Sequence, residues 1–228
     1  MSVHLRPTAA IASDALLPGD PGRALALAQA LTARPRMANH NRGLWGYTGT
    51  TPTGHALTIQ STGIGGPSAA VVLEELASLG VSRAIRIGTC TSLDGEIALG
   101  ELVTVATAVS DDGASRALGA PSVAGPDPGL HAALVRAGGA RATTVASTDL
   151  YYDPNGGARR TAWVEAGVTA VELGTAALFA VGQRRKVAVA SCLVIAAVAG
   201  GERLDDSRLE QASREAGKLA ADALAREG

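Results

Sequence analysis

The sequence predicts a single α/β domain over residues 1–228, built on a central mixed β-sheet flanked by helices. Three observations predict it. Short apolar, strand-like segments alternate with helical patterns along the chain, the ordering of an α/β fold. A glycine loop, Thr62-Gly63-Ile64-Gly65-Gly66, stands between the end of one strand and the start of a helix, where the backbone can turn tightly and expose its N–H groups. At 228 residues the chain is long enough for one good core, and no proline-rich or charged linker divides it.

In chain order, Ala15 to Leu17 reads as a strand and Gly22 to Leu31 as a helix. The apolar alternation of Ala56 to Ile59 marks a second strand, Leu57 to Ser61, which stops at the glycine loop. In the helix that follows, Pro67 to Leu79, Pro67 suits the first turn and Ser68 supplies a hydroxyl. Val71, Val72, Leu76 and Leu79 form its broad apolar face, and Gly80 ends it. Ala84 to Thr89 is a buried strand, and Glu101 to Ser110 another. Asp111 to Gly129 and Asp153 to Gly157, rich in Gly, Pro and Asp, have no helical or strand period and are expected as loops walling a pocket. Between and beyond them lie a helix at Leu130 to Ala137, strands at Thr143 to Ser147 and Val168 to Glu172, and a helix at Thr175 to Gln183. A strand at Lys186 to Ala197 and an amphipathic helix at Asp206 to Arg226 close the chain, which has no internal repeat.

A formal net charge of −1 leaves no extended basic surface, so small molecules rather than nucleic acid are the expected partners. Cys90 and Cys192 sit in apolar runs outside any metal-ligand spacing; buried free thiols and no metal are expected. The N-terminus MSVHLRPTAA lacks the apolar core of a signal peptide, and the longest apolar stretch, Val187 to Ala199, is too short to span a bilayer. A cytoplasmic protein with no membrane contact is expected.

Arg86 carries the chemistry. An arginine inside an apolar strand needs a partner for its charge, either an anionic ligand or an internal carboxylate, and the adjoining glycine loop and helix favour the anion. A dinucleotide is the weaker choice of ligand: Gly63 and Gly65 fit G-x-G-x-x-G, but Ser68 occupies the third glycine position.

Several landmarks occur in order: Leu17-Pro18-Gly19-Asp20-Pro21-Gly22-Arg23, Asn41-Arg42-Gly43, Ser61 to Glu75, Arg86 to Thr89, Asp112-Gly113-Ala114-Ser115, Ser147 to Tyr152 and Val171-Glu172-Leu173. On these residues the chain resembles, over nearly its whole length, the nucleoside phosphorylase family that includes uridine phosphorylase and the hexameric purine nucleoside phosphorylases. The glycine loop and Asp112 to Ser115 look most like uridine phosphorylase, whereas the spacing of Asp149 to Gly156 looks more like the purine enzymes. The resemblance implies that Gly19, Arg23, Arg86 and Thr89 bind phosphate, with Arg23, Arg86 and Thr89 as the catalytic group. It implies that Arg42 reaches the phosphate of a neighbouring subunit and that His4 reaches across toward the sugar 5′-hydroxyl. A homo-oligomer follows, a dimer at minimum and a hexamer by resemblance. Cys90, Thr91, Tyr151, Glu172 and Leu173 fall on the nucleoside side.

The implied reaction is phosphorolysis of the N-glycosidic bond, releasing a free base and a pentose 1-phosphate. Positive charge grows on the sugar ring as that bond stretches, and phosphate attacks the same carbon. Inorganic phosphate is the co-substrate and no cofactor is needed; catalysis lies in holding phosphate close and stabilising separated charge. Retention of Arg23, Arg42 and Arg86 favours phosphorolysis over hydrolysis.

The pattern breaks in several places. The family's sugar signature is Glu-Met-Glu, whose second Glu accepts from the 2′ and 3′ hydroxyls; here Glu172-Leu173-Gly174 puts glycine there. Losing that acceptor costs several kcal/mol, at about 1.5–3 per charge-assisted bond, and favours a 2′-deoxy or otherwise altered pentose. Glu172 itself also reads as a buried structural carboxylate at a strand end. The purine branch's leaving-group acid is absent from Val194 to Val198, which favours a uridine-like pyrimidine. Asn155, Arg159 and Arg160 are candidates for a pyrimidine clamp. Thr91-Ser92 replaces a Gly-Ala pair and narrows the base pocket, and Gly43 replaces an acidic residue that holds a monovalent cation in some relatives. The alternatives are a divergent member that binds without turnover, or a purine enzyme using Asp205 or Asp206 as its acid.

Overall fold

The structure, a computed structural model, describes residues 2–93, 95–138 and 140–226. Among them are ten strands: β1 (Asp14–Pro18), β2 (Ala33–Asn39), β3 (Gly46–Thr50), β4 (Ala56–Gln60), β5 (Arg83–Ser92), β6 (Leu102–Asp111), β7 (Val123–Ala124), β8 (Arg141–Thr148), β9 (Ala170–Glu172) and β10 (Ala188–Val198). Seven helices accompany them: α1 (Pro21–Leu31), α2 (Gly65–Ser78), α3 (Gly113–Ala117), α4 (Pro128–Gly138), α5 (Gly156–Glu165), α6 (Thr175–Arg185) and α7 (Asp206–Arg226).

All ten strands join one mixed sheet. β4, β1, β5 and β10 run parallel in that order, and β3 and β2 extend the β4 edge antiparallel. From β10 the sheet continues through β6, β8 and β9 back to the far end of β5, so five strands close a ring. Helices cover both faces. On one, Val72, Leu76, Leu178 and Val181 of α2 and α6 pack with Ala84, Val189 and Leu193. On the other, Leu27, Leu134, Leu219 and Leu224 of α1, α4 and α7 pack with Leu16, Ile85, Ile87 and Val194. The period of two along β5 does this sorting: Ile85 and Ile87 enter the second cluster, Ala84 and Cys90 the first, and Arg86 shares the face of Ala84 and Cys90.

The α/β class with a central mixed sheet is as the sequence predicts. Elements missing from the sequence reading are those without an apolar signature. β2, of sequence ARPRMAN, is an edge strand with most positions exposed, and β3, GYTGT, contains two glycines. The stretch Asp111 to Gly129, expected as loop, contains α3 and the two-residue β7. α5 begins within the expected loop at Gly156 and buries no residue, so it has no stripe to read. Arg83, which reads from sequence as a solvated charge, instead donates through Nε to buried Asp14 at 2.8 Å. The parallel strands β1, β4 and β5 end on one side of the sheet, the side on which open α/β sheets bind ligands.

Candidate functional site

Two turns leaving those strand ends, together with β5 itself, build one polar hollow. After β1, Gly19 and Asp20 lead into α1, where Asp20 accepts from the Arg23 backbone N–H at 2.7 Å. That cap starts the helix and places Arg23 in its first turn. After β4 comes the glycine loop. Gly63 has φ +71, and a Cβ there would lie 2.6 Å from the Ser68 Oγ, so both backbone and space call for glycine. Ser68 donates to the Thr62 carbonyl at 2.6 Å, tying the loop to its helix. The N-terminus of α2 has no side-chain cap, which leaves backbone N–H groups available beside Gly63 and Gly65.

β5 supplies the third wall. Arg86 is 8% exposed, and its guanidinium lies over Gly88, where a Cβ would stand 3.0 Å from Nε and 2.6 Å from Leu193 Cδ2. Glycine inside that strand is what gives the arginine room. Nη2 of Arg86 pairs with Glu172 Oε2 at 3.0 Å, while its buried Nε has no partner. The internal carboxylate is therefore the observed partner of Arg86, while the arginine also lines the hollow. Burial, opposed by Asp20 and assisted by the like charge of Arg86, holds Arg23 below the ordinary arginine value. Two guanidinium groups that repel each other are relieved by an anion between them.

This hollow, about 380 Å³, is lined by Gly19, Arg23, Gly63, Arg86 and Thr89 among others. A second cavity of about 430 Å³ adjoins it, walled by Cys90, Thr91, Thr148 and the run Ala196 to Gly201, with Arg203 at its rim. A wider opening of about 670 Å³ runs along Ile64, Pro67 and Asp149. Tyr151 and Leu173 border all three. Tyr151 stands half exposed, edge-on to Tyr152 with ring centroids 4.9 Å apart. Thr89 lines both the polar and the second cavity.

Among the described residues Glu172 is the one carboxylate lining the second cavity, and both its oxygens are engaged. Oε1 accepts from Ser147 Oγ and from the Thr175 N–H at 2.8 Å; Oε2 accepts from the Gly174 N–H at 2.8 Å besides the Arg86 pair. The Cys90 thiol is pushed up by burial, with Glu172 adding and Arg86 opposing, so it stays protonated. Its Sγ faces the Val194 carbonyl at 3.6 Å. Cys192 is likewise buried and free, pushed up to about 12 by burial. Among the described residues no group of three His, Cys, Asp or Glu could hold a metal ion.

His4 and Arg42 line none of these cavities. The two are nonetheless held together: Glu75 accepts the backbone N–H groups of Val3, His4 and Leu5, and Asn41 Nδ2 donates to the His4 carbonyl at 2.7 Å. Arg42 follows in a short 3-10 turn, exposed and with φ 59. Of the clamp candidates, Arg159 is spent on Asp111 and Asp153 at 2.7 and 2.9 Å, and Asn155 precedes α5 as its N-cap. Arg160 comes near: its Nη1 is 3.9 Å from where a Cβ of Gly200 would be. Asp205 caps the last helix, accepting from the Arg208 N–H at 2.8 Å, and neither it nor Asp206 lines the second cavity.

Sequence reasoning missed Thr148, Ile64 and Arg203. The Thr148 hydroxyl is buried without a partner in the cavity wall, a signal visible only in three dimensions. A separate hollow of about 510 Å³ lies on Lys186 and Asp127, but Asp127 serves there as a helix cap, accepting from the Leu130 N–H at 2.8 Å.

Comparison with known proteins agrees with this geometry. A family model described as the phosphorylase superfamily matches residues 14–226. The purine nucleoside phosphorylase DeoD-type of Geobacillus kaustophilus is 32% identical over 192 residues, 78% of either chain. That of Alkaliphilus metalliredigens is 29% identical over 219 residues, covering 91% of this chain and 93% of its own. Among solved structures, uridine phosphorylase from Vibrio fischeri ES114 in complex with 6-hydroxy-1-naphthoic acid superposes with a TM-score of 0.86 at 27% identity, over 95% of this chain and 92% of that one. With nearly the whole chain matched in sequence and in fold, the protein belongs to the phosphorylase superfamily, within its nucleoside phosphorylase family.

Proposed function

We propose that the enzyme cleaves the N-glycosidic bond of a uridine-like pyrimidine nucleoside with inorganic phosphate, releasing the base and a pentose 1-phosphate. The observation that carries the reading is the unpartnered, buried Nε of Arg86 beside the half-relieved charge of Arg23, in a hollow that opens through Thr89, Tyr151 and Leu173 onto a largely apolar cavity. Phosphate sits at the arginines and the uncapped start of α2, the base lies against Thr91, Thr148 and Tyr151, and the sugar between them meets Leu173. Phosphate is its own nucleophile, so the protein's part is to hold it in line and stabilise its charge against the growing cation on the sugar. No cofactor is required.

The pyrimidine preference rests on the base cavity. Among the described residues its one lining carboxylate, Glu172, has both oxygens occupied and is not available to protonate a departing purine. The sequence similarity to purine enzymes favours a second reading, a purine nucleoside substrate. Gly174 shifts the sugar. A Cβ there would meet only ordinary contacts, 3.6 Å to Ala69 and Gly65, so the acceptor is missing from a position with space for it. A 2′-deoxy pentose loses less by that absence than ribose.

A second copy completes the site, supplying Arg42 to the phosphate and His4 to the sugar; the assembly is at least a dimer, and a hexamer by resemblance. Support comes from the way Glu75 and Asn41 hold these two residues as one unit outside their own chain's cavity. No described helix is long and apolar enough to cross a membrane.

Base release from uridine, thymidine, deoxyuridine, inosine and adenosine, with and without phosphate, tests the reading. The expected result is phosphate-dependent release from the pyrimidine nucleosides, fastest with a deoxy sugar. Turnover of inosine or adenosine alone selects the purine reading. Nucleoside binding without release from any substrate rejects the enzyme in favour of a binding protein.

A further inference from the structure

Buried Ser147 sits on β8 directly beside Glu172 of β9, the two being Cα partners in the parallel register. Its hydroxyl accepts the Ala176 N–H at 2.9 Å and donates to Glu172 Oε1. The accepted bond leaves the hydroxyl proton one direction in which to point, at the carboxylate. Glu172 in turn takes two backbone N–H groups from the first turn of α6 and, on Oε2, the Nη2 of Arg86. Three hydrogen-bond donors and the Arg86 ion pair fix this carboxylate, and both of its oxygens are taken.

We propose that Ser147 is a positioning residue for phosphate, acting through Glu172 to fix the guanidinium of Arg86. With Nη2 held by Glu172, the guanidinium plane cannot swing away when the hollow is empty, and the arginine stays in the wall where phosphate arrives. The three hydrogen-bond donors also spread the carboxylate's charge, so that Glu172 orients the arginine without repelling the anion that follows. Ser147 and Glu172 thus belong to the phosphate half of the site, although Glu172 also borders the base cavity. This rests on reading the arginine-lined hollow as the phosphate site.

The test is isothermal titration of the full chain with inorganic phosphate, beside steady-state kinetics on the nucleoside it cleaves. Ser147→Ala is expected to weaken phosphate about tenfold, the equilibrium equivalent of one hydrogen bond to a charged group. It raises the phosphate KM and leaves the nucleoside KM unchanged. In a Glu172→Gln background the serine change should have no further effect, because the serine acts only through that carboxylate. Ser147→Cys, with a weaker donor of similar shape, replaces the alanine variant if that one fails to fold, and is expected to lie between it and the parent. Unchanged phosphate affinity in the serine variants overturns the proposal. So do additive effects in the double variant, or equal losses for phosphate and nucleoside, which are the marks of general loosening. If the parent binds phosphate but turns over no nucleoside, the binding arm still decides the role of Ser147 while the proposed activity fails.

Discussion

Arg86 shows how a strand can hold a charge in a core and still offer it to a ligand. Leu17 and Ser191 flank it in register, Gly88 makes space above it, and Glu172 takes one nitrogen. Arg86→Ala should therefore lower kcat/KM for phosphate by about a hundredfold or more, as for loss of a preorganised donor to developing charge. It should also reduce stability, since Glu172 is left buried without its cation; kinetics and thermal denaturation of one sample read both. At Gly174, Gly174→Glu is expected to shift the preference toward ribonucleosides by about tenfold, one regained charge-assisted bond, measured as the ratio of kcat/KM for uridine and deoxyuridine. Glu75 carries a pH dependence. Burial raises its pKa, but the N–H groups of Leu5, His4 and Val3 outweigh that and hold it below the ordinary value. A depressed carboxylate contributes stability above its unfolded value, near 4.3, and that contribution fades as pH falls through the lower folded value. Hydrogen exchange at residues 3–5 should therefore accelerate on acidification below about pH 4.3, beyond the intrinsic trend, and Glu75→Gln should already exchange fast at neutral pH.

Elements place these residues through their ends. α1 begins at a capping aspartate and so puts Arg23 in its first turn, whereas α2 begins without a side-chain cap beside the glycine loop. α4, remote from the site, makes the contrast measurable. Asp127→Ala removes its capping bond and should lower stability by about 1 kcal/mol without altering phosphate affinity; a denaturant titration and a phosphate titration of the same variant check it. Strands and helices with apolar periods were legible in the sequence: β4, α2, β5, β10 and α7 lie close to where the pattern puts them. β2, β3 and α5 were not legible, because edge strands and surface helices bury too little to leave a period.

At the scale of the whole molecule, the site lies where three parallel strands end, and the residues held outside it on the N-terminal segment are those proposed to serve a second copy. Arg42→Ala and Arg86→Ala chains, each inactive alone, should regain part of the activity when unfolded together and refolded as a mixture, because some shared sites then contain both arginines. Lack of recovery, in mixtures shown to co-assemble, places Arg42 outside the active site. By itself the sequence determined the α/β class, the glycine loop between strand and helix, and Arg86 as a buried cation in need of an anion. Those features rest on local periods and on the rule that buried charges are paired, both readable along one chain. Only the tertiary structure decided that Glu172 is the internal partner of Arg86, that Ser147 hydrogen-bonds it, that Thr148 lines the second cavity and that Arg159 is spent elsewhere. The physical reason is that a hydrogen bond or ion pair has a fixed length and direction. Residues 86, 147 and 172 reach that geometry through sheet register, which sequence separation does not encode.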